Sequence, residues 1–359
     1  MPPRTGAATD APPAPRRPLL VCGMARAGTS WVGKMLEAGG RFVYVNEPMN
    51  PRHPPGRSPG ILRADVTREY LYITADNAAD FRDAFRDTVR LRYHVLAEIR
   101  RNHTPFDLAK MAKYAAAFTL GRVHAKRAML NDPYATLSAK WLAEEIGAQV
   151  VAVVRQPAAM LASFRKLGYE DLALGDLLDQ PLLMRDHLEP FRAELEAAAW
   201  GRDLVAQVAL LWRILHRVTD TYRSTVPGFV VVRHEDLSID PVAGYRALHA
   251  ELGLPFTREV QAAVEEGSGL RGSGGGADKT HVWRLSKRNL LSRTAYRPMD
   301  SRAGLGRWRA SVTDEEVARI RTLTEDVARR FYTGAELDWL LAGSPGNVPS
   351  PLVNLAPAT

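Results

Sequence analysis

Ten residues, Val21-Cys22-Gly23-Met24-Ala25-Arg26-Ala27-Gly28-Thr29-Ser30, carry the strongest chemical signal in this 359-residue chain. An apolar run from Pro18 to Cys22 reads as a short buried strand. A Gly-rich turn follows, and Trp31-Val32-Gly33-Lys34-Met35-Leu36-Glu37 begins a helix. Strand, turn and helix N-terminus together make an anion cradle, because successive backbone N–H groups and the helix dipole point at one spot. Arg26 adds a cation inside the turn. A second phosphate-directed pair lies further on: Arg155 ends the apolar run 148–154, Gln156-Pro157 follows, and Ser163 comes eight residues after the arginine. A strand end places Arg155 at the carboxyl edge of an open sheet, where such folds bind ligands. Ser163 falls about two helical turns later, so its hydroxyl can converge on the same phosphate. The guanidinium fork suits a phosphate dianion.

The turn GMARAGTS comes close to the nucleotide-hydrolase pattern GxxxxGK[ST], but Thr29 stands where that pattern has lysine. That lysine reaches the β- and γ-phosphates, and its hydroxyl neighbour holds Mg²⁺. Here the cation has moved inside the turn, to Arg26. A phosphate cradle is kept and the usual NTP-hydrolysing arrangement is not.

This departure resembles the sulfotransferases that use 3′-phosphoadenosine-5′-phosphosulfate (PAPS). Their 5′-phosphosulfate loop has the form [KR]SGT[ST]W, and this chain has Arg26-Ala27-Gly28-Thr29-Ser30-Trp31. The family also has a strand ending in Arg, then x-Pro, with a Ser eight residues after the Arg; Arg155 and Ser163 match. Its C-terminal signature RKGxxGxW[KR] is similar to Arg302-Ala303-Gly304-Leu305-Gly306-Arg307-Trp308-Arg309, with Ala303 replacing one cation. Val230-Val231-Val232-Arg233-His234-Glu235-Asp236-Leu237 looks like its strand ending in [YH]-E-D-L. The matches run in family order from residue 19 to about 332. The resemblance implies a central parallel sheet with the phosphosulfate loop at its edge, and a metal-independent reaction that leaves 3′-phosphoadenosine-5′-phosphate (PAP). It implies a 3′-phosphate site at Arg155, Ser163, Arg302 and the Gly304 backbone, with less charge because of Ala303. It also places His234 and Trp31 near the adenine; an ordinary strand end and a core tryptophan are the alternatives.

Sulfuryl transfer needs an acceptor hydroxyl or amine in line with the S–O bond being broken, and a base to take its proton. Cations must offset charge gathering on the leaving phosphate and equatorial oxygens, as in phosphoryl transfer. Arg26 is the leaving-group cation. Glu47, in Val45-Asn46-Glu47-Pro48-Met49-Asn50, is the first candidate base, 21 residues after Arg26 and beyond a second short strand. Tyrosylprotein sulfotransferases resemble this spacing, whereas cytosolic members use a His in a K-x-H-x-P segment. The comparable segment here, Leu130-Asn131-Asp132-Pro133, has no His, and Asn131 stands where bacterial relatives commonly have Lys. Asp132 is the second candidate base. His53, His94, His103, His124 and His281 belong to no motif and read as structural or exposed.

The elements that must position these groups alternate along the chain. Strands are expected at 19–23, 41–45, 125–130, 148–154 and 229–233. Helices are expected at 30–38, 81–99, 105–119, 138–146, 157–167, 203–224, 241–252 and 313–332. Strands joined by helices predict a parallel, doubly wound α/β sheet. Residues 18–341 read as one domain, with disordered tails at 1–17 and 342–359. The Gly-rich stretch within 267–300 reads as a mobile lid, and 50–120 and 168–200 as acceptor-site helices.

Composition narrows the classes. A net charge of +8 from 48 Lys and Arg against 40 Asp and Glu suits an acidic nucleotide co-substrate. No zinc-finger spacing, aromatic RNA-binding signature or dense basic arm points to nucleic acid. The single Cys22 excludes an internal disulfide framework and reads as core. No apolar stretch is long enough for a transmembrane helix, no signal peptide is evident, and a cytoplasmic location is expected. The expectation is a sulfotransferase moving a sulfuryl group from PAPS to a small-molecule, glycan or natural-product acceptor. An ATP-dependent small-molecule kinase on a degenerate P-loop and a non-catalytic nucleotide binder stay open.

Overall fold

The computed structural model describes residues 17–52, 61–270 and 300–343. Most of the expected tails, the stretch 271–299 of the expected lid, His53 and His281 lie outside the described residues.

Five strands form one parallel sheet: β1 (Leu19–Gly23), β2 (Phe42–Asn46), β3 (Arg127–Asn131), β4 (Gln149–Val154) and β5 (Phe229–Arg233). Their order is β2-β3-β1-β4-β5. All five residues of β1 are buried, as are the last five of β4. Unbroken apolar runs of this kind mark strands covered on both faces. The register pairs Val21 with Asn131 on one side and with Val151 on the other. The connection from β1 runs toward β2, whereas that from β4 runs toward β5, so the sheet has its topological switch point between β1 and β4. The Gly-rich turn after β1 therefore follows the middle strand, at the sheet's carboxyl edge, where open α/β sheets bind ligands.

Six helices matter for the site or its support: α1 (Thr29–Glu37), α2 (Ala79–Val89), α3 (Pro105–Val123), α4 (Pro157–Lys166), α5 (Leu204–Thr225) and α6 (His234–Ile239). Helix α4 starts with Pro157 at its first position and is capped by the buried Gln156, whose Oε1 accepts the Ala158 N–H at 2.8 Å. Both devices are inexpensive ways to start a helix immediately after a strand.

The helix expected over 81–99 is broken. It ends at Val89, and Leu91 takes a left-handed φ of 55° that carries its side chain into the core at 2% exposure. A separate short helix, Val95–Ile99, follows. The helix expected over 313–332 ends at Ala328, so that Phe331 and Tyr332 can turn inward. A new helix, Gly334–Ala342, then starts from a Thr333–Glu336 capping box that the hydrophobic pattern did not reveal. The α6 turn and the helix Arg258–Gly267 were likewise not anticipated.

Candidate active site

The turn after β1 is shaped by two glycines. At Gly23, φ is 144° and a Cβ would sit 2.4 Å from the Val153 carbonyl oxygen. At Gly28, φ is 106° and a Cβ would sit 2.5 Å from His234 Cδ2. Only glycine permits both the backbone angle and the approach. Two buried hydroxyls brace the turn: Gly23 N donates to Thr136 Oγ1 at 2.9 Å and Ala25 N to Tyr70 Oη at 2.9 Å. Arg26 occupies the crest in a left-handed conformation, φ 79°, with its side chain exposed. Such an angle costs a non-glycine residue roughly 1–3 kcal/mol and persists where surroundings enforce it. Thr29 is buried, and Gly28 O accepts the Trp31 and Val32 N–H groups that open α1.

Three of the expected phosphate ligands meet here. Arg26 Nε donates to Ser163 Oγ at 3.1 Å, and Arg155 Nη1 donates to the Arg26 carbonyl at 3.1 Å. Burial pulls Arg155 below the ordinary guanidinium range; the Glu235 carboxylate opposes this and the like charge of Arg26 adds to it. Two cations are thus held together, with the buried Glu235 carboxylate acting on Arg155. Glu235, 2% exposed, accepts Gln156 N at 2.9 Å and Tyr332 Oη–H at 3.0 Å, and burial raises its pKa. Trp212 Nε1 donates to the Arg155 carbonyl at 2.8 Å. Loop, strand end and α5 therefore form one hydrogen-bonded unit.

His234 begins α6 beside Gly28. Burial, with the Arg155 charge, holds its pKa well below the usual imidazole value, so it is neutral near pH 7. Its ring lies 5.4 Å from that of Trp31, which meets Tyr245 edge-on at 5.4 Å. Trp31 is half-buried in this aromatic group, and its Nε1 has no hydrogen-bond partner. Arg302 is not drawn onto Ser163 or Arg155 by any described hydrogen bond: its Nη2 donates to Ile239 O at 3.0 Å, at the far end of α6. Ala303 and Gly304 lie in the short helix Ser301–Gly304, and Ala303 N is taken by the Asp300 carboxylate at 2.8 Å. The segment is hooked to α6 through Ser301 Oγ, which donates to Ser238 O.

The β2–β3 side is acidic. Glu47 follows β2 with a left-handed φ of 46°; its N–H donates to Asn131 O at 3.0 Å, and its Oε2 accepts from Asn50 Nδ2 at 2.7 Å. Asp132 is fully buried, with Oδ2 accepting from Met49 N and Oδ1 from Tyr134 N at 3.0 Å. Burial pushes its carboxyl up to about 8, the Met49 N–H draws it down, and the Glu47 charge pushes it up. The fully buried Asn131 has no partner at either amide atom, and a Cβ on Gly33 would sit 2.4 Å from its Oδ1. Burial raises the pKa values of Tyr44, Tyr70, Tyr114 and Tyr134; the Glu47 charge adds to the rise at Tyr44, Tyr114 and Tyr134. Segments around 50 and 170 meet here: Arg52 pairs with Glu69 at 3.0 Å and donates to Tyr169 Oη at 2.8 Å.

Sequence reasoning missed Glu235, Trp212, Thr136 and Tyr70. Glu235 lay within the quoted strand-end motif and was legible there. The other three are supplied by segments far from the residues they serve and had no local signal. Cys22 is buried, and burial raises its thiol to about 12, which suits core packing. Among the described residues, no group of three His, Cys, Asp or Glu is placed to hold a metal, and no helix is long and apolar enough to cross a membrane.

No curated protein sequence matches the chain. Solved structures similar to it include a sulfotransferase domain from the Synechococcus PCC 7002 olefin synthase: 16% identical, 89% of this chain and 96% of that one, TM-score 0.40. Another is a sulfotransferase domain from the curacin biosynthetic pathway: 12% identical, covering 85% and 96%, TM-score 0.41. A third is sulfotransferase STF9 from Mycobacterium avium: 15% identical, covering 72% and 69%, TM-score 0.35. The sulfotransferase family model matches residues 18–258, two thirds of the chain, and the protein belongs to that family.

Proposed function

We propose that this sulfotransferase takes its sulfuryl group from PAPS and passes it to a hydroxyl or amine of a small-molecule or glycan acceptor, leaving PAP. The observation that carries this reading is the junction of Arg26, Ser163 and Arg155 above the switch point. It supplies two guanidinium groups and a hydroxyl, with Glu235 as the nearby opposing charge. A polyanion with a 5′-phosphosulfate and a 3′-phosphate fits that donor set. PAPS supplies the activated sulfuryl group when bound. Arg26 and the turn's N–H groups offset charge on the leaving phosphate. Arg155 and Ser163 hold the 3′-phosphate, with Arg302 on the α6 side. Neutral His234 and Trp31 offer an aromatic border for the adenine.

Glu47 takes the acceptor's proton and Asp132 positions it. Each Asp132 carboxyl oxygen accepts a backbone N–H, one from Met49 in the Glu47 loop and one from Tyr134 after β3. The tyrosines around Glu47, with the segments near 50 and 170, line the acceptor side.

The test is a thermal-shift comparison of PAP and ATP, followed by an acceptor screen with isotopically labelled PAPS. PAP should raise the melting temperature, because a ligand that binds only the native state stabilises it by mass action; ATP, which lacks the 3′-phosphate, should do much less. Equal stabilisation by both would remove the 3′-phosphate site. Turnover should persist in excess EDTA; loss on chelation with recovery on Mg²⁺ would favour a kinase-like reaction.

A further inference from the structure

We propose that α3 and the short helix Val95–Ile99 form a docking face for an anionic lipid surface. Ten large apolar side chains are exposed among the described residues, and seven of them fall between 95 and 123: Val95, Leu96, Ile99, Phe106, Leu108, Leu120 and Val123. Leu96 is 79% exposed, Val123 72% and Leu120 55%. The two helices pack against each other. Helix α3 is apolar on both sides. Its inner stripe of Met111, Phe118 and Gly121 is buried, and Gly121 packs so closely on β2 that a Cβ would sit 2.3 Å from Val43 Cγ2. Its outer stripe, Leu108, Ala112, Ala116 and Leu120, repeats every four residues and is solvent-exposed throughout. A surface helix ordinarily puts polar residues there. Exposed apolar patches on this scale mark interaction sites.

Charge identifies the occupant. Residues 90–127 contain nine Lys or Arg against two Asp or Glu, a net of +7 in a chain whose total is +8. One of the two acids, Glu98, is buried, whereas Arg90, Arg92, Arg100, Arg101 and Arg122 are exposed; Arg92 shares the Asp87 carboxylate and Arg101 lies 4.0 Å from Glu98. A second copy of the chain would set +7 against +7, which disfavours self-association. An apolar stripe flanked by arginines fits a bilayer interface with anionic headgroups: the stripe enters the acyl boundary and the guanidinium groups meet the phosphates. The chain then rests on the membrane without crossing it. This inference does not depend on the proposed donor or base.

Co-sedimentation of the full chain tests it, with vesicles of equal parts phosphatidylcholine and phosphatidylserine against pure phosphatidylcholine. Binding should be at least about tenfold stronger to the anionic vesicles and should weaken in high salt. The triple variant Leu96→Glu/Leu120→Glu/Val123→Glu changes only exposed positions; it should lose about tenfold or more of that binding with its melting temperature unchanged. Should that variant fail to fold, Arg100→Glu/Arg122→Glu decides, with the same expected loss. Wild-type chain that ignores both vesicle types, or variants that bind like wild type, would overturn the proposal. So would a wild-type dimer that the triple variant converts to monomer, which assigns the face to self-association. Capture of a soluble acidic protein with no vesicle binding would also overturn it.

Discussion

The two sides of the sheet's carboxyl edge handle polar groups in opposite ways. On the β1–β4–β5 side, groups close onto one another: Arg26 on Ser163, Arg155 on the Arg26 carbonyl, Trp212 on the Arg155 carbonyl, and Glu235 on Gln156 and Tyr332. On the β2–β3 side, burial and the Glu47 charge push the Asp132 carboxyl up to about 8, and buried Asn131 leaves both amide atoms unpaired. Apart from Trp31 Nε1, the groups on the first side bond one another, and such a network makes a rigid cradle. Unpaired and desolvated polar groups cost stability, and proteins retain such features at sites of chemistry. Under the proposed function, the donor lies on the first side and proton transfer on the second.

The largest effect should come from breaking the acidic side. Glu47→Gln keeps the shape and the acceptor oxygen for Asn50 but removes the proposed base. Turnover should fall by about 10²–10⁴-fold, the usual contribution of a positioned general base, while PAP affinity by calorimetry stays near wild type. Asp132→Asn in the same assay should cost turnover far less. The reverse pattern would move the base to Asp132. A few-fold change at both positions would mean that no carboxylate takes the proton.

Acidification should separate the two sides by sign. His216 stacks on Trp212 at 4.1 Å beneath the cradle, and burial lowers its pKa to about 4. The unfolded chain therefore binds a proton near 6.5 that the folded chain refuses until about 4, and stability falls as pH drops through that window. The loss approaches about 3 kcal/mol, at 1.36 kcal/mol per pH unit. Asp132 runs the other way. Its raised folded pKa means that the native state gains a proton first, so its contribution improves as pH falls from about 8 toward 4. Denaturant melts across pH should show His216→Phe flattening the acid limb and Asp132→Asn flattening the alkaline one. Unchanged limbs would disconnect these groups from stability.

Weakening the cradle gives the next effect. Arg155→Ala should reduce PAP affinity by roughly 1.5–3 kcal/mol, the range for a hydrogen bond to a charged group, and leave the pH limbs in place. An affinity within a factor of two of wild type would put the 3′-phosphate elsewhere, with Arg302 on the α6 side the next position to test.

What the sequence disclosed follows the same division. The cradle was legible because its parts are local: a strand, a turn with Arg26 and Gly28, and a strand end with Arg155 eight residues before Ser163. Strand β5 was read to the residue, and β1 likewise, since buried parallel strands announce themselves as apolar runs. The supports were illegible because they arrive across long sequence separations: Thr136 reaches Gly23, and Tyr70 reaches Ala25. The break at Leu91 was hidden for another reason: a leucine at positive φ is imposed by the core it fills, against its own preference. Arg302 was assigned by motif alone; in the structure its side chain bonds Ile239 O, and no described hydrogen bond joins it to Arg155 or Ser163.

The smallest effect is the sharpest measure of the contrast. Removing a satisfied group leaves its partners unpaired, at roughly 1–3 kcal/mol per buried polar group, whereas removing an unsatisfied one relieves that penalty. Glu235→Ala strands Gln156 N and Tyr332 Oη and should lower stability by at least about 2 kcal/mol. Asn131→Ala strands nothing in the structure. The desolvated amide is lost along with some packing against Gly33, so the net change should stay within about 1 kcal/mol of zero in either direction. Urea melts of the two variants, at matched slopes, decide between the plans. A loss above about 2 kcal/mol at Asn131 would mean that its amide is held as tightly as Glu235, and the division between a satisfied side and a strained one would fall. A near-zero change in stability together with reduced turnover would place Asn131 beside the reacting groups, where a polar atom is kept for chemistry at the expense of the fold.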